Sequence, residues 1–318
     1  MDSNNTLKKC VFKSNQLELE VADKGFVLAG NIGKTLLSKI QNVYDTHHAF
    51  LQNPTGVFHT LYSTDLAYRD SLNQALHNLL KPTFDSLFEN YKVTANLIIA
   101  KFSDQNSAFG IHQDTTGLDE TKFTPLNVWI PLQDTAIENG CLCLVPKSQK
   151  FAFPYRGTSF AGQFDSLTNE ITPYLFPIKM KAGDILIFDN RTLHYSPPNT
   201  LKKPRVVVMS GIFHKDATIL TCFKKDDSSP IELYQQNDDY LLTYKGFKKE
   251  PIEADAGVKI NELLIANPIS DKDDFFELVK QHSLDKHDAF STPHKSQFYF
   301  NKQPIISYLR NKLERFWS

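Results

Sequence analysis

The stretch FGIHQDTTG, residues 109–117, sets His112 two positions before Asp114. On an extended chain, residues i and i+2 point to the same side. An imidazole and a carboxylate placed this way are two of the three donors of a mononuclear non-heme iron site, which takes two histidines and one carboxylate on one face and leaves the other face open. The pair alone is a weak signal: about one is expected by chance in a chain of this composition. A second pair, His214 and Asp216, occurs further on. His294 lies as far beyond His214 as His194 lies beyond Asp114, so spacing does not choose between the two sets.

Local context does choose. In KMKAGDILIFDNRTLHYSPPN a Gly-Asp turn launches an apolar run, and His194 sits just past its end. Arg205 then opens the next β-rich run, RVVVMSGIF. Two neighbouring strands would aim His194 at a metal and Arg205 into the same pocket, where a guanidinium grips a carboxylate through two parallel hydrogen bonds. His294 lies in STPHKSQ with no strand before it, and Arg310 falls in a helical pattern.

These residues need a rigid frame. KGFVLAG (24–30) reads as a short strand, 34–51 as a helix, and STDLAYRDSLNQALHNLL as a second helix with Ser63, Thr64 or Asp65 as N-cap. Pro82 is expected to end or kink it. The first ninety residues are thus expected to be mainly helical. VTANLIIAKF, LNVWIPLQ, CLCLV, DILIFD and RVVVMSGIF follow as short β-rich runs bounded by Gly, Pro, Asn and Asp, the pattern of an antiparallel barrel or sandwich. No long helical pattern interrupts them, which argues against a doubly wound parallel sheet. Residues 1–90, 91–215 and 216–318 are read as a helical N-terminal part, a β core and a mixed, helical extension of one catalytic domain. VKINELLIA, DDFFELVKQ and PIISYLRNKLERFW in the extension look helical. The extension is expected to serve as a lid or a dimer contact.

Bulk properties narrow the classes. A net charge of −1 gives no electrostatic case for nucleic acid or an anionic membrane. No apolar run spans a bilayer, and the N-terminus MDSNNTLKKC lacks an apolar signal core. Cys10, Cys141, Cys143 and Cys222 show no zinc spacing and read as free thiols of a reducing compartment, so a cytoplasmic location is expected.

The ordered motifs resemble the phytanoyl-CoA dioxygenase family of Fe(II)/2-oxoglutarate-dependent oxygenases. KGFVLAG resembles its first strand, HQD its metal motif, NVWIPLQDTAIENGCLCLVPKSQK its Trp-containing strand and acidic turn, and AGDILIFDNRTLHYSPPN with the following KPR its distal histidine and arginine. The resemblance implies a double-stranded β-helix (jelly-roll) core with flanking helices. It implies iron ligands His112, Asp114 and His194, with Arg205 holding the far carboxylate of 2-oxoglutarate. It also implies an O₂-consuming hydroxylase acting on a small metabolite, amino-acid-like or a natural-product intermediate, with release of succinate and CO₂. Asp114 disfavours halogenation, since related halogenases lack that carboxylate. Pro146-Lys147-Ser148-Gln149 departs from the family's common Pro-Gly-Ser-His, a change expected to bear on substrate choice at the pocket mouth. A non-catalytic or metal-only jelly-roll binding protein is the alternative.

Lys101 reads either as a group facing 2-oxoglutarate or as a solvated strand end. Asn127, Phe109 and Thr115 are pocket candidates, Lys101, Asn127 and Thr115 with cofactor contacts in view, and Trp129 reads mainly as core. Lys147, Lys150, Arg156 and Arg191 read as a solvated rim that an acidic substrate would meet.

Overall fold

Ser14 accepts a hydrogen bond from the Leu17 amide and so starts α1 (Asn15–Lys24), which Gly25 ends at φ +88°. That left-handed position needs glycine, because a side chain there would also meet Gln149 Oε1 and Thr192 Oγ1 at 2.6 Å. The chain reverses into β1 (Phe26–Asn31), then forms α2 (Gly33–His48), β2 (Val57–His59) and α3 (Leu66–Leu87). The computed structural model describes residues 8–48, 55–226, 228–243, 257–264 and 270–290.

Asp65 is the N-cap of α3, accepting from the Tyr68 amide at 3.0 Å. Pro82 does not end the helix, which runs on to Leu87. Pro82 lies on the exposed face, so its missing N–H falls toward water, while Leu72, Leu76, Leu80 and Phe84 keep the buried stripe continuous on both sides of it.

Eight further strands divide between two sheets, alternating except that β6 and β7 share the smaller one: β3 (Tyr91–Lys101), β4 (Phe109–His112), β5 (Leu126–Pro131), β6 (Cys143–Leu144), then a short α4 (Thr168–Ile171), β7 (Phe176–Pro177), β8 (Asp184–Asp189), β9 (His194–Ser196) and β10 (Arg205–His214). One sheet has the order β1-β8-β5-β10-β3-β2 and the other β4-β9-β6-β7, with all pairings antiparallel. Each consecutive strand returns to one of two facing sheets, which is the double-stranded β-helix. The outer face of the larger sheet (Ile98, Ala100, Val128, Ile130, Ile187, Val208) packs against α3 and its neighbours. Its inner face (Ile99, Trp129, Leu186, Phe188, Val207) packs against Leu144 of the smaller sheet and Leu142 just before β6. Along each strand the apolar side chains therefore alternate between two cores, as period-2 patterning demands.

Beyond β10 the described residues form β11 (Ile219–Phe223), β12 (Ile231–Gln236), a short α5 (Tyr240–Thr243), β13 (Val258–Leu263) and α6 (Lys272–His282), with β11, β12 and β13 in one sheet. The expected helix at VKINELLIA is corrected over VKINEL: Val258 and Ile260 alternate with polar residues, and antiparallel pairing to β12 holds them extended. DDFFELVKQ is helical, capped by Asp271. Phe275 is fully buried against Phe164 and Tyr174, whereas Phe276 is 43% exposed. PIISYLRNKLERFW, Trp317, His294 and Arg310 lie outside the described residues. No described helix is long and apolar enough to cross a membrane. The four thiols are free.

Candidate metal centre and 2-oxoglutarate pocket

β4 and β9 are neighbours in the smaller sheet, and His112 pairs directly with His194 across them. Their rings lie 4.1 Å apart, centroid to centroid. Each ring is anchored by its own chain: His112 Nδ1 bonds the Gly110 carbonyl at 2.7 Å, and His194 Nδ1 bonds the Thr192 carbonyl at 2.9 Å. A carbonyl only accepts, so Nδ1 carries the proton in both rings and Nε2 presents its lone pair. Both Nε2 atoms face Asp114 Oδ1, at 3.8 Å from His112 and 3.6 Å from His194.

Asp114 is aimed as carefully. Its amide donates to the Asn190 carbonyl at 3.0 Å. Asn127 Nδ2 donates to Oδ2 at 2.7 Å, which leaves Oδ1 free to turn toward the histidines. The three donor atoms lie within 4.8 Å of one another, the one such group among the described residues. Burial of His194, with His112 beside it, lowers its pKa to about 4 despite Asp114, so the imidazole stays neutral. The competing pair, His214 and Asp216, folds onto itself: the Asp216 amide donates to His214 Nδ1 at 3.2 Å.

A second cluster lies on the facing sheet, on the inner side of β3 and β10. Arg205 pairs directly with Lys101 across β10 and β3. Two cations opposite each other on adjacent strands repel, so the arrangement is costly without an anion. Lys101 is fully buried, resolving its two readings in favour of the interior. Its Nζ donates to Ser196 O (3.0 Å), Ser196 Oγ (2.6 Å) and Pro197 O (2.7 Å). Arg205, 2% exposed, reaches the same Ser196 Oγ through Nη2 at 3.3 Å. Its Nε and Nη1 are buried with no partner among the described residues. Its guanidinium carbon lies 5.4 Å from the centre of the Trp129 ring, so Trp129 is both core and pocket wall. Burial lowers the Arg205 pKa to about 10, which leaves it charged at neutral pH. Gly140, the glycine of the Glu-Asn-Gly turn, makes room here: a Cβ would meet Pro197 O at 2.6 Å and Lys101 Cδ at 2.7 Å.

The other expected residues divide. Phe109 lies on the inner face, its ring 6.2 Å from His112 and 5.8 Å from the Lys101 ammonium. Asn127 acts on Asp114 rather than reaching the Arg205 cluster. Thr115 is exposed, and its neighbour Thr116 is the buried one. The supposed rim cations are engaged. Arg156 is buried against Glu120, Arg191 bonds Asp189, Lys150 bonds Asp23 at 2.9 Å, and Lys147 donates to Ser283 O. Gln149 is 4% exposed and donates to the Val21, Ala22 and Asp23 carbonyls at the end of α1. Its departure from the family pattern therefore serves a helix terminus and not a pocket mouth. Ser148 Oγ accepts from the Leu193 amide beside His194. Sequence reading missed Ser196, though its place two after His194 on one strand face was a usable signal. It also missed the Glu120–Arg156 pair, for which a separation of 36 positions offered none.

A jelly roll that converges two histidines and a carboxylate on its inner face defines a class of mononuclear metal proteins. Residues 36–207, more than half of the chain, match the family model described as phytanoyl-CoA dioxygenase (PhyH), and the chain belongs to that family. It is 28% identical over 159 residues to phytanoyl-CoA dioxygenase domain-containing protein 1 homolog of Dictyostelium discoideum, covering 47% of this chain and 55% of that protein. It is 33% identical over 91 residues to dioxygenase lolE1 of Epichloe uncinata, covering 29% and 34%. The chain thus spans about half and about a third of the lengths of these relatives. Among solved structures it is similar to the non-heme alpha ketoglutarate dependent carbocyclase SnoK from nogalamycin biosynthesis, with 19% identity, TM-score 0.49, and coverage of 65% of this chain and 86% of that one. It is also similar to HygX from Streptomyces hygroscopicus with nickel and 2-oxoglutarate bound, with 16% identity, TM-score 0.45, and coverage of 63% and 86%.

Fe(II) and 2-oxoglutarate are the cofactors of this family, and the residues present fit both. Three donors of the right types converge. The orphaned buried N–H groups of Arg205 suit a carboxylate, the ligand that a guanidinium fork binds best.

Proposed function

We propose that this chain is an Fe(II)- and 2-oxoglutarate-dependent dioxygenase that hydroxylates an unactivated C–H of a small metabolite, releasing succinate and CO₂. The observation that carries the reading is the His112–Asp114–His194 convergence inside a jelly roll whose facing sheet buries Arg205, with its Nε and Nη1 unpartnered among the described residues.

In this reading His112 Nε2, His194 Nε2 and Asp114 Oδ1 hold the ion. Arg205 takes the far carboxylate of the co-substrate, with Ser196 Oγ beside it and Lys101 adding positive charge. When bound, iron and 2-oxoglutarate together supply the activation of O₂ and the oxidising power. The chain supplies geometry. The histidine Nδ1–carbonyl bonds fix ring direction and tautomer, and Asn127 fixes which carboxylate oxygen turns inward. Phe109, Trp129, Leu186 and Val207 exclude water from the space between the two clusters. His112 and His194 are carried by paired strands and Asp114 by a loop pinned through its amide and carbonyl, and ligands so held move little during reaction, which suits chemistry that must be confined to one C–H. Asp114 fills the third ligand position, which argues for hydroxylation over halogenation.

The substrate is proposed to be amino-acid-like or a natural-product intermediate, and the location cytoplasmic. Residues 1–90, 91–215 and 216–318 are proposed as parts of one catalytic domain, the last doubling as lid or dimer contact. The test is succinate release on screening small metabolites with wild type and Arg205→Ala. Turnover that ignores Arg205→Ala would favour a metal-only jelly roll. No succinate with any substrate, together with metal binding, would favour a binding protein.

A further inference from the structure

The loop that follows Asp114 is held by a segment distant in sequence. Arg156 Nε donates to the Asp114 carbonyl at 2.7 Å. The opposite edge of the same guanidinium meets Glu120 through two parallel bonds, Nη1 to Oε2 at 2.9 Å and Nη2 to Oε1 at 2.6 Å, and Nη1 also donates to Phe153 O at 2.6 Å. Arg156 and Glu120 are 5% and 3% exposed. The main chains are tied as well: the Thr116 amide donates to Arg156 O at 3.0 Å, and the Arg156 amide donates to Thr116 Oγ1 at 2.8 Å.

We propose that Arg156, locked by Glu120, is a positioning residue that sets the direction of the Asp114 carboxylate by fixing its main chain. The inference deepens the metal-site reading above and rests on it. The planar fork explains the residue type. One edge must fill a bidentate carboxylate while the remaining Nε–H points the other way, which a lysine ammonium cannot do. With the Asn190 carbonyl on the Asp114 amide, Asn127 on Oδ2 and Arg156 on the carbonyl, the residue is gripped at three points, and Oδ1 is left as the group facing the histidines.

The segment carrying Arg156 is itself backed by the C-terminal sheet. Phe153, Tyr155 and Phe160 pack on Cys222, Ile231 and Leu233 of β11 and β12, and a Cβ at Gly157 would meet Cys222 O at 2.3 Å. The Leu220 amide donates to Gly117 O, tying β11 to the Asp114 loop directly. The extension therefore acts on the metal site through Arg156, without touching the metal.

The test measures anaerobic Mn(II) affinity by calorimetry and the visible spectrum of the Co(II) form in wild type, Arg156→Lys, Arg156→Met/Glu120→Gln and the helix control Phe84→Leu. Arg156→Lys keeps the charge beside Glu120 and loses the Nε bond. It is expected to fold, to bind Mn(II) about 10- to 100-fold more weakly, the usual loss when a partner of a ligand is removed, and to shift the Co(II) bands. The double variant is expected to do the same, and Phe84→Leu to lower the melting temperature with affinity and spectrum unchanged. Wild-type affinity and spectrum in Arg156→Lys would overturn the proposal while leaving the metal site standing. Failure of wild type itself to bind Mn(II) or Co(II) would overturn both.

Discussion

The two clusters inside the jelly roll, the metal end on the smaller sheet and the cation end on the larger, are built on opposite principles. At the metal end every supporting hydrogen bond is made within the chain: both Nδ1 atoms, the Asp114 amide, its carbonyl and its second oxygen all have partners. Only the donor atoms for the ion face one another. At the cation end Arg205 buries Nε and Nη1 with no partner among the described residues and lies directly opposite Lys101. One end is complete until a metal arrives. The other is incomplete until an anion arrives, and an unsatisfied buried donor costs about 1–3 kcal/mol. The difference teaches that the first site is preorganised by hydrogen bonding, and that the second trades stability of the empty protein for affinity toward a carboxylate.

Removing a ligand should break the first end outright. His194→Ala is expected to weaken metal binding by more than about 100-fold, beyond what the loss of an outer partner costs, and to abolish succinate formation. Anaerobic metal titration checks it. At the other end, Arg205→Met is expected to leave metal affinity unchanged while costing 2-oxoglutarate roughly 2–5 kcal/mol of binding, as a buried charge-assisted pair does. The same variant should leave the ligand-free protein as stable as wild type or more so, read by urea unfolding. A loss of stability in the empty protein would contradict the contrast drawn between the ends.

A smaller effect is shared by His194 at the metal end and by buried histidines outside it. Burial lowers His48 and His59 to about 4 each. A histidine whose folded pKa lies below its unfolded value of about 6.5 is protonated first in the unfolded chain, so it favours folding above that pH and opposes it as pH falls toward the folded pKa. For His59, 9% exposed with Nδ1 accepting from the Leu61 amide, the loss between pH 6.5 and 4 is roughly 3 kcal/mol. Urea unfolding of the metal-free protein across that range should show a falling midpoint, flattened in His59→Gln. The smallest expected change is that of Asn127→Ala, which frees Asp114 Oδ2 to swing. It should weaken metal affinity about tenfold and leave the 2-oxoglutarate affinity of the metal-loaded form nearly intact.

Much of this arrangement is legible in the sequence because β-strands write it in period 2. His112 and Asp114 announce a shared side, and DILIFD and RVVVMSGIF announce two strands, but not as the expected neighbours: β8 pairs with β1 and β5, and the turn after it carries His194 onto β9 of the other sheet, facing Arg205 rather than beside it. What period 2 does not encode is pairing at long range. Nothing near Arg156 says that its guanidinium meets Glu120 and the Asp114 carbonyl, and nothing in Pro-Lys-Ser-Gln says that Gln149 caps α1. Local rules also mislead where tertiary context overrides them. Pro82 reads as a helix end, yet the stripe from Leu72 to Phe84 carries α3 past it. VKINEL reads as helical until β12 supplies a partner.

The most direct test of the account is the visible spectrum of the protein with Fe(II) and 2-oxoglutarate in the absence of oxygen, recorded for wild type, His112→Ala and Arg205→Ala. The account predicts a charge-transfer band in wild type, absent in His112→Ala and recovered in Arg205→Ala only at much higher 2-oxoglutarate. A wild-type protein that binds Fe(II) yet shows no band would contradict it.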